Sequence, residues 1–477
     1  MGSRSNGISG PPPDPGRPKA RKAKRRGLLL TVINRPDMPV GQAQPFAVQP
    51  PPDPAAPAFF PTAPARVEDC GLPVTRLADL LLKHLYFKSP VSAKDWGVMV
   101  KLPYATVVPA IQSLVEQGWA QTIGRMGGAA NGGEFGESLG YLITDPGRGR
   151  ARDILTRDHY VGPAPVTFVQ YEESVRTQIS QVDVTAAWLT RALQHLTLSP
   201  DLLVQLGPPI NARAPLFLYG APGNGKTSIA EACADLLGAP IFIPYAMDIE
   251  GQIMRMFDPL HHVEIKREMP PQLDTRWVLV KRPFVKVGGE LTLPQLSPSF
   301  DALMRYYEAP VHLKANGGIF LLDDFGRQDV PPRSLLNRLI VALERRVDYL
   351  NLSGAGMAVA APFEAMVVFS TNLEPADLVD EAFLRRVRYK IHVADPSPEE
   401  FRHIFERACR EAEIVFSEAG YNYVVDRYYK PFKRPFRGCQ PRDILQQLDE
   451  AAYFLQRPPL LEKDLIDLAC RSYFVMA

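Results

Sequence analysis

Residues 220–228 read GAPGNGKTS, placing three glycines, a lysine and two hydroxyls directly after the apolar run Leu216-Phe217-Leu218-Tyr219. The spacing GxxxxGK[ST] between a strand and the helical stretch SIAEACADLLG is a pattern that wraps an anionic oxygen in backbone N–H groups. Glycine keeps side chains out of that wrap and admits positive φ. Gly220, Pro222, Gly223, Asn224, Gly225, Lys226, Thr227 and Ser228 are therefore the expected nucleotide-binding set. Lys226 is expected to reach the β- and γ-phosphates and Thr227 to ligate Mg²⁺, with the helix N-terminus adding partial positive charge.

Breaking a triphosphate needs a metal-holding acid and a group that positions water, both at the end of a neighbouring buried strand. The stretch GGIFLLDDFG supplies the acids: Ile319 to Leu322 is a continuous apolar run, as in a buried parallel strand, and it ends in Asp323-Asp324. Asp323 is read as the metal-side carboxylate and Asp324 as the group that orients and deprotonates the attacking water. A third apolar run, EAMVVFSTN, ends in Asn372, whose amide both donates and accepts and so suits holding that water. Downstream, LVDEAFLRRVRYKI gathers Arg385, Arg386 and Arg388, and QPRDILQQLDEAAYF carries Arg442.

These motifs sit in a chain of 477 residues, 46% hydrophobic and 22% charged, too long for one compact core. Five scattered cysteines without a CxxC pair fit reduced thiols and a cytoplasmic location. No window approaches the roughly 20 apolar residues of a membrane span, and the short run GLLLTVI ends at Asn34-Arg35-Pro36, so no export signal is read. His261-His262 with Glu264 have no further ligand at metal-binding spacing and are expected at the surface.

Five segments are expected. Residues 1–66 hold 15 of the 47 prolines and a net charge of +7, with the basic cluster RPKARKAKRR, and read as a disordered leader. Residues 67–160 show three helical patterns, then a hairpin with the glycine-rich tip MGGAANGGEFGESLG, and resemble a winged helix. A DNA-reading winged helix carries basic and amide side chains on its third helix, yet residues 103–117 contain no Lys or Arg, and 67–160 balance ten basic against ten acidic residues. Protein recognition is therefore preferred to DNA, for which Arg125, Arg148, Arg150 and Arg152 remain the support. Residues 161–205 read as a helical connector, 206–395 as the nucleotide-binding domain and 396–477 as a helical lid.

The order and spacing of these motifs resemble an AAA+ ATPase over about 270 residues, with Walker A at 220–227, Walker B at 319–324, sensor 1 at Asn372, an arginine-finger segment at 385–388 and sensor 2 at Arg442. The stretch PPRSLLNRLIVALERRVDYLNLSGAGMAVAAPFEAMVVFSTN is similar to the MoxR-like branch of that family. The resemblance implies an α/β fold, a P-loop parallel sheet with a C-terminal helical lid, and ATP with Mg²⁺ as cofactors. It also implies a ring-shaped homo-oligomer, a hexamer, that hydrolyses ATP and remodels a client protein. Arg386, aligned with the Arg of the branch's LLDRF pattern, would act on the neighbouring subunit's site, with Arg385 as runner-up, and Arg442 would act within its own subunit. One departure stands out: the family's Asp-Glu is Asp-Asp here, a shorter side chain at the second position. Two other readings stay open, an ATP-dependent DNA-binding regulator or loader and a nucleotide-gated scaffold with little turnover.

Residues 240–318 exceed what a minimal core needs. IFIPYAMDIEGQIMRMFDP is expected to give the second strand and a loop, and RWVLVKRPFVKVGGELTL two short strands. Tyr245, Met247, Ile253 and Met254 are candidates for gripping a substrate, with ordinary core packing the favoured reading.

Overall fold

A computed structural model describes residues 57–127, 137–179, 184–352 and 358–474. Five parallel strands form its central sheet: β1 (Leu216–Tyr219), β2 (Phe284–Val287), β3 (Ile319–Leu322), β4 (Met366–Thr371) and β5 (Tyr389–His392), in the order β2-β3-β4-β1-β5. Every residue of β3 and β4 is buried, because helices cover both faces and each pleat direction needs an apolar side chain. Alternation sends Phe217, Phe320 and Phe369 to one core and Leu216, Leu218, Ile319, Leu321 and Val368 to the other. The helix Pro332–Arg345 buries Leu335, Leu336 and Leu339 in the first, and the helix Lys226–Asp235 buries Ile229, Ala230 and Cys233 in the second.

The strand expected after the first helix forms, at Ile241–Pro244, but outside this sheet. It pairs antiparallel with Trp277–Val280, while Phe284–Val287 takes the place beside β3. The rest of the long segment builds a second sheet of Ser299–Asp301, Tyr306–Glu308, Gln252–Arg255, Ala246–Ile249 and Val166–Thr167, in that order. Met247 and Met254 are buried within it and Ile253 nearly so, which leaves them core residues rather than free gripping side chains. Tyr245 is half-buried against the same core.

Ahead of this lie the helices Val74–Lys88, Ala93–Val100 and Tyr104–Glu116, a three-stranded sheet with Glu137–Ile143 between Val91–Ser92 and Ala120–Gly127, and the helix Asp145–Leu155. Ser92 caps the second helix through the amide of Asp95. The glycine-rich tip at 128–136 lies outside the described residues. This unit is welded to the second sheet: Ala246 and Ile253 share its core, and Arg76 bonds Asp248 at 2.8 Å. Arg276, 1% exposed, grips Asp274 and donates to the carbonyls of Cys70 and Pro165. A buried guanidinium so fully paired costs several kcal/mol to strand, on the order of 3–5 if one partner is removed.

Two expectations need correction here. The leader is expected through residue 66, but residues 57–66 are packed on the fold; residues 1–56, with the basic cluster, lie outside the described residues. Phe59 lies edge-on to Trp277, Ala63 N–H donates to Gln272 O, and Pro64 O accepts from Thr106, because its aromatic residues find apolar partners despite the proline content. His262 is not a surface residue: it is 2% exposed, with Nδ1 accepting from the Asp258 amide and Nε2 donating to Lys314 O.

After β5, the helices Pro398–Glu411, Glu418–Val424, Gln440–Phe454 and Lys463–Tyr473 enclose a separate core around Phe401, Phe405, Tyr429 and Leu448. A capping box of Ser397 and Glu400 starts it. Among the described residues, no single helix is long and apolar enough to cross a membrane.

Candidate nucleotide site

β1 runs straight into the glycine turn, and the turn into the helix at Lys226. Two glycines there have no substitute. Gly220 has φ +137° and a Cβ would fall 2.4 Å from Val393 O; Gly223 has φ +83° and a Cβ would fall 2.5 Å from the Cys439 Sγ. Lys226 folds back, its Nζ donating to the Gly220 and Ala221 carbonyls at 2.9 Å each. Burial pulls its ammonium below the usual range, Asp323 and Asp324 hold it up, and Arg437 pushes it further down.

The first acid meets this loop. Thr227 Oγ1 donates to Asp323 Oδ2 at 2.9 Å, so two hard oxygen donors from β3 and the first helix turn face each other. Burial pushes the Asp323 carboxyl up, but hydrogen bonds from Lys286, Ser370 and Thr227 outweigh it and hold it low and ionised. This donor set fits Mg²⁺, which takes one or two carboxylates or hydroxyls and completes its shell with phosphate oxygens and water. Asp324, one residue on, is exposed, sits in left-handed backbone at φ +48°, and donates its amide to Asp323 Oδ1. Left-handed backbone at a non-glycine residue is a strain that clusters at functional sites.

Lys226, Thr227, Asp323 and Asp324 line a cleft of about 540 Å³ that also takes Asn224, Ser228, Arg407 and Arg442 onto its walls. Residues 195–198 of the connector close one side. The lid closes another, and it touches the loop directly: Cys439 N–H donates to Gly223 O at 2.8 Å and Gly438 N–H to Asn224 Oδ1 at 3.2 Å. Arg442 is largely exposed at the cleft edge and bonds Asp443 beside it. From β4 it is Ser370 that lines the cleft. Asn372 sits one residue past the strand and is not among the residues lining the cleft; its Oδ1 is buried and without a hydrogen-bond partner among the described residues.

Arg385 and Arg386 are elsewhere. β5 pairs with β1 so that Tyr389 stands beside Leu216, at the end of the sheet opposite the glycine turn. Arg385 bonds Glu381, Arg386 bonds Glu344, and both line a separate cleft with Arg346 and Arg388. Within one chain they do not reach the loop.

Several contributors went unread in the sequence. Lys286 on β2 places Nζ 2.9 Å from Asp323 Oδ2, Arg407 reaches the cleft from the lid, and Asp395 with Arg437 joins lid to loop. Lys286 had one signal, a lone cation inside the apolar FVKV strand; the others lie in ordinary helical or loop sequence.

A glycine loop leaving a central parallel strand, with an acid pair ending the strand two places away, makes this an α/β protein of the P-loop nucleotide-binding class. Residues 397–472, which are nearly the whole lid, match a family described as a domain of unknown function, DUF8689. No curated protein matches the chain. Similar solved structures include NtrX from Brucella abortus in complex with ATP, at 13% identity over 58% of this chain and 59% of that one, with a TM-score of 0.36. The same protein in complex with ADP gives 15%, 61%, 60% and 0.36. The Thermotoga maritima RuvB Holliday junction branch migration motor gives 12%, 64%, 72% and 0.32. This chain thus spans about three-fifths of the NtrX chain's length.

Proposed function

We propose that this chain is an AAA+ ATPase similar to the MoxR-like branch. It hydrolyses ATP with Mg²⁺ as a ring of six subunits and uses the cycle to remodel a partner protein in the cytoplasm. The observation that carries the reading is the 2.9 Å contact of Thr227 Oγ1 with Asp323 Oδ2 beside a glycine loop ending in Lys226.

Thr227 and Asp323 would hold Mg²⁺, which would neutralise negative charge on the triphosphate. Lys226 exchanges its two carbonyl partners for phosphate oxygens, and the turn's backbone N–H groups take the remaining charge. Asn372 holds the water through its unpaired Oδ1. Asp324 accepts the water proton as the oxygen bonds to the γ-phosphorus; the bond from that phosphorus to the β–γ bridging oxygen breaks, giving ADP and phosphate. Arg442 faces the same nucleotide from the lid. Arg386, or Arg385 beside it, would come from the next subunit, a role its place at the far end of the sheet favours. Asp324, a methylene shorter than the Glu usual there, implies slow turnover.

The winged-helix-like unit is assigned to the partner protein. The exposed face of its third helix, with Tyr104 and Val115, carries no cation, and Arg150 is tied to Asp79 and stacked over Trp119. Phosphate release by the wild type, compared with Lys226→Ala, tests the enzyme: release no faster than the variant would end the hydrolysis claim. Capture with Asp324→Asn in ATP tests the client. Protein is expected, and recovery of duplex DNA with salt-sensitive binding would replace this reading by the DNA-binding regulator.

A further inference from the structure

A second cavity, of about 610 Å³, lies at the seam between the N-terminal unit and the second sheet, away from the nucleotide cleft. That size suits a small organic molecule. Phe87, Tyr160, Tyr245, Phe257, Met304 and Tyr306 give its wall large apolar and aromatic side chains. The wall is held in place: Tyr160 packs edge-on to Tyr306 at 5.7 Å and donates its hydroxyl to Pro163 O at 2.8 Å. Tyr245 packs edge-on to Phe257 at 5.4 Å, and His159 N–H donates to Met304 O at 2.9 Å, joining the two sides. Phe87 is 58% exposed and Met304 36%, so apolar surface opens to solvent here instead of being buried.

The charge on this wall has one sign. Among the described residues, Lys88 and Arg255 line it and no Asp or Glu does. Glu308, on the adjacent strand, holds Arg255 at 2.6 Å, which fixes the guanidinium while leaving it further N–H donors. A cationic guest would meet two like charges, and Lys101 already stands 5.6 Å over the Tyr245 ring. An uncharged guest would leave the two cations unused.

We propose that this cavity binds a small amphipathic anion, an aromatic or aliphatic body carrying one carboxylate, phosphate or sulfonate. The body lies among the tyrosines and Phe257, and the acid group meets Arg255 and Lys88. Because the walls come from both sides of the seam, the bound molecule would tie the N-terminal unit to the second sheet.

The test uses the full chain and the fluorescent probe 1-anilinonaphthalene-8-sulfonate, displaced by 4-phenylbutyrate or by 4-phenylbutylamine, the same body with the opposite charge. Expected are one saturable site, displacement by the carboxylate and not the amine, and about tenfold weaker binding in Arg255→Gln, the loss typical of a charged hydrogen bond. Met304→Trp, which fills the space without removing a charge, is expected to abolish the site while leaving the circular dichroism unchanged. Lys226→Ala is expected to bind the probe as the wild type does. A signal that never saturates, equal displacement by the amine, or wild-type affinity in both Arg255→Gln and Met304→Trp would overturn the proposal.

Discussion

Asn224 in the glycine loop donates its side-chain amide to Asp395 Oδ1 at 2.7 Å, and the Arg437 guanidinium bonds that same oxygen from the lid. One carboxylate oxygen therefore joins the phosphate loop to the lid, at the point where the chain leaves β5.

Removing that oxygen should loosen the lid. For Asp395→Ala, the labelled-ATP affinity measured by fluorescence is expected to fall about tenfold, from the loss of a charge-assisted hydrogen bond of roughly 1.5–3 kcal/mol, discounted because Asp395 is partly exposed. Limited proteolysis between 395 and 440 should quicken. If affinity and cleavage both stay at wild-type values, the lid is not held through this contact.

Lys286 bonds Asp323 Oδ2, the oxygen proposed above to hold Mg²⁺ together with Thr227. Two cations compete for one carboxylate, so Lys286→Ala is expected to lower the Mg²⁺ concentration needed for half-maximal nucleotide binding several-fold. Removing an exposed like charge at such range is worth on the order of 1 kcal/mol. A higher Mg²⁺ requirement would mean that Lys286 orients Asp323 instead.

His262 makes stability depend on pH. Burial is the main cause that pushes its imidazole from 6.5 down to about 4, against the Lys314 carbonyl bond that holds it up. The unfolded chain then binds the extra proton between those values, so stability is complete above about pH 6.5 and is lost as pH falls towards 4. The loss from this group alone is roughly 3 kcal/mol at about 1.4 kcal/mol per pH unit. His84, His261 and His312 are lowered by burial as well and act in the same direction. Thermal melts at pH 7 and pH 5 should show a smaller drop in His262→Asn than in wild type; an identical drop would remove His262 from the account.

Arg386 gives the clearest test of assembly. Arg386→Ala is expected to bind ATP normally yet lose turnover by about 10³-fold or more. Mixing it with Lys226→Ala chains should restore part of the activity, because an intact loop from one chain then meets an intact arginine from the other. Full activity in Arg386→Ala alone would shift the role to Arg385 or abolish it.

The site was legible because its chemistry is local. The glycine turn, Lys226 and Thr227 lie within nine positions, and Asp323-Asp324 and Asn372 each follow a short apolar run that reads as a buried strand and forms one. Local sequence sets which atoms a short segment can present, and it sufficed for the loop, the acid pair and the helical lid.

Only the tertiary structure decided which strand stands beside β3. Ile241–Pro244 and Phe284–Val287 are equally short and largely apolar, and the choice between them depends on packing partners distant in sequence. It also decided that Phe59 packs on Trp277 although its neighbours are rich in proline, that His262 is buried, and that Lys286, Asp395 and Arg437 converge on the loop. These contacts join residues as far as 218 positions apart, from Phe59 to Trp277. The apolar contacts draw their energy from excluding water and the charged ones from hydrogen bonds between opposite charges, in both cases between groups that meet only once the chain is folded, and no short window of sequence records that.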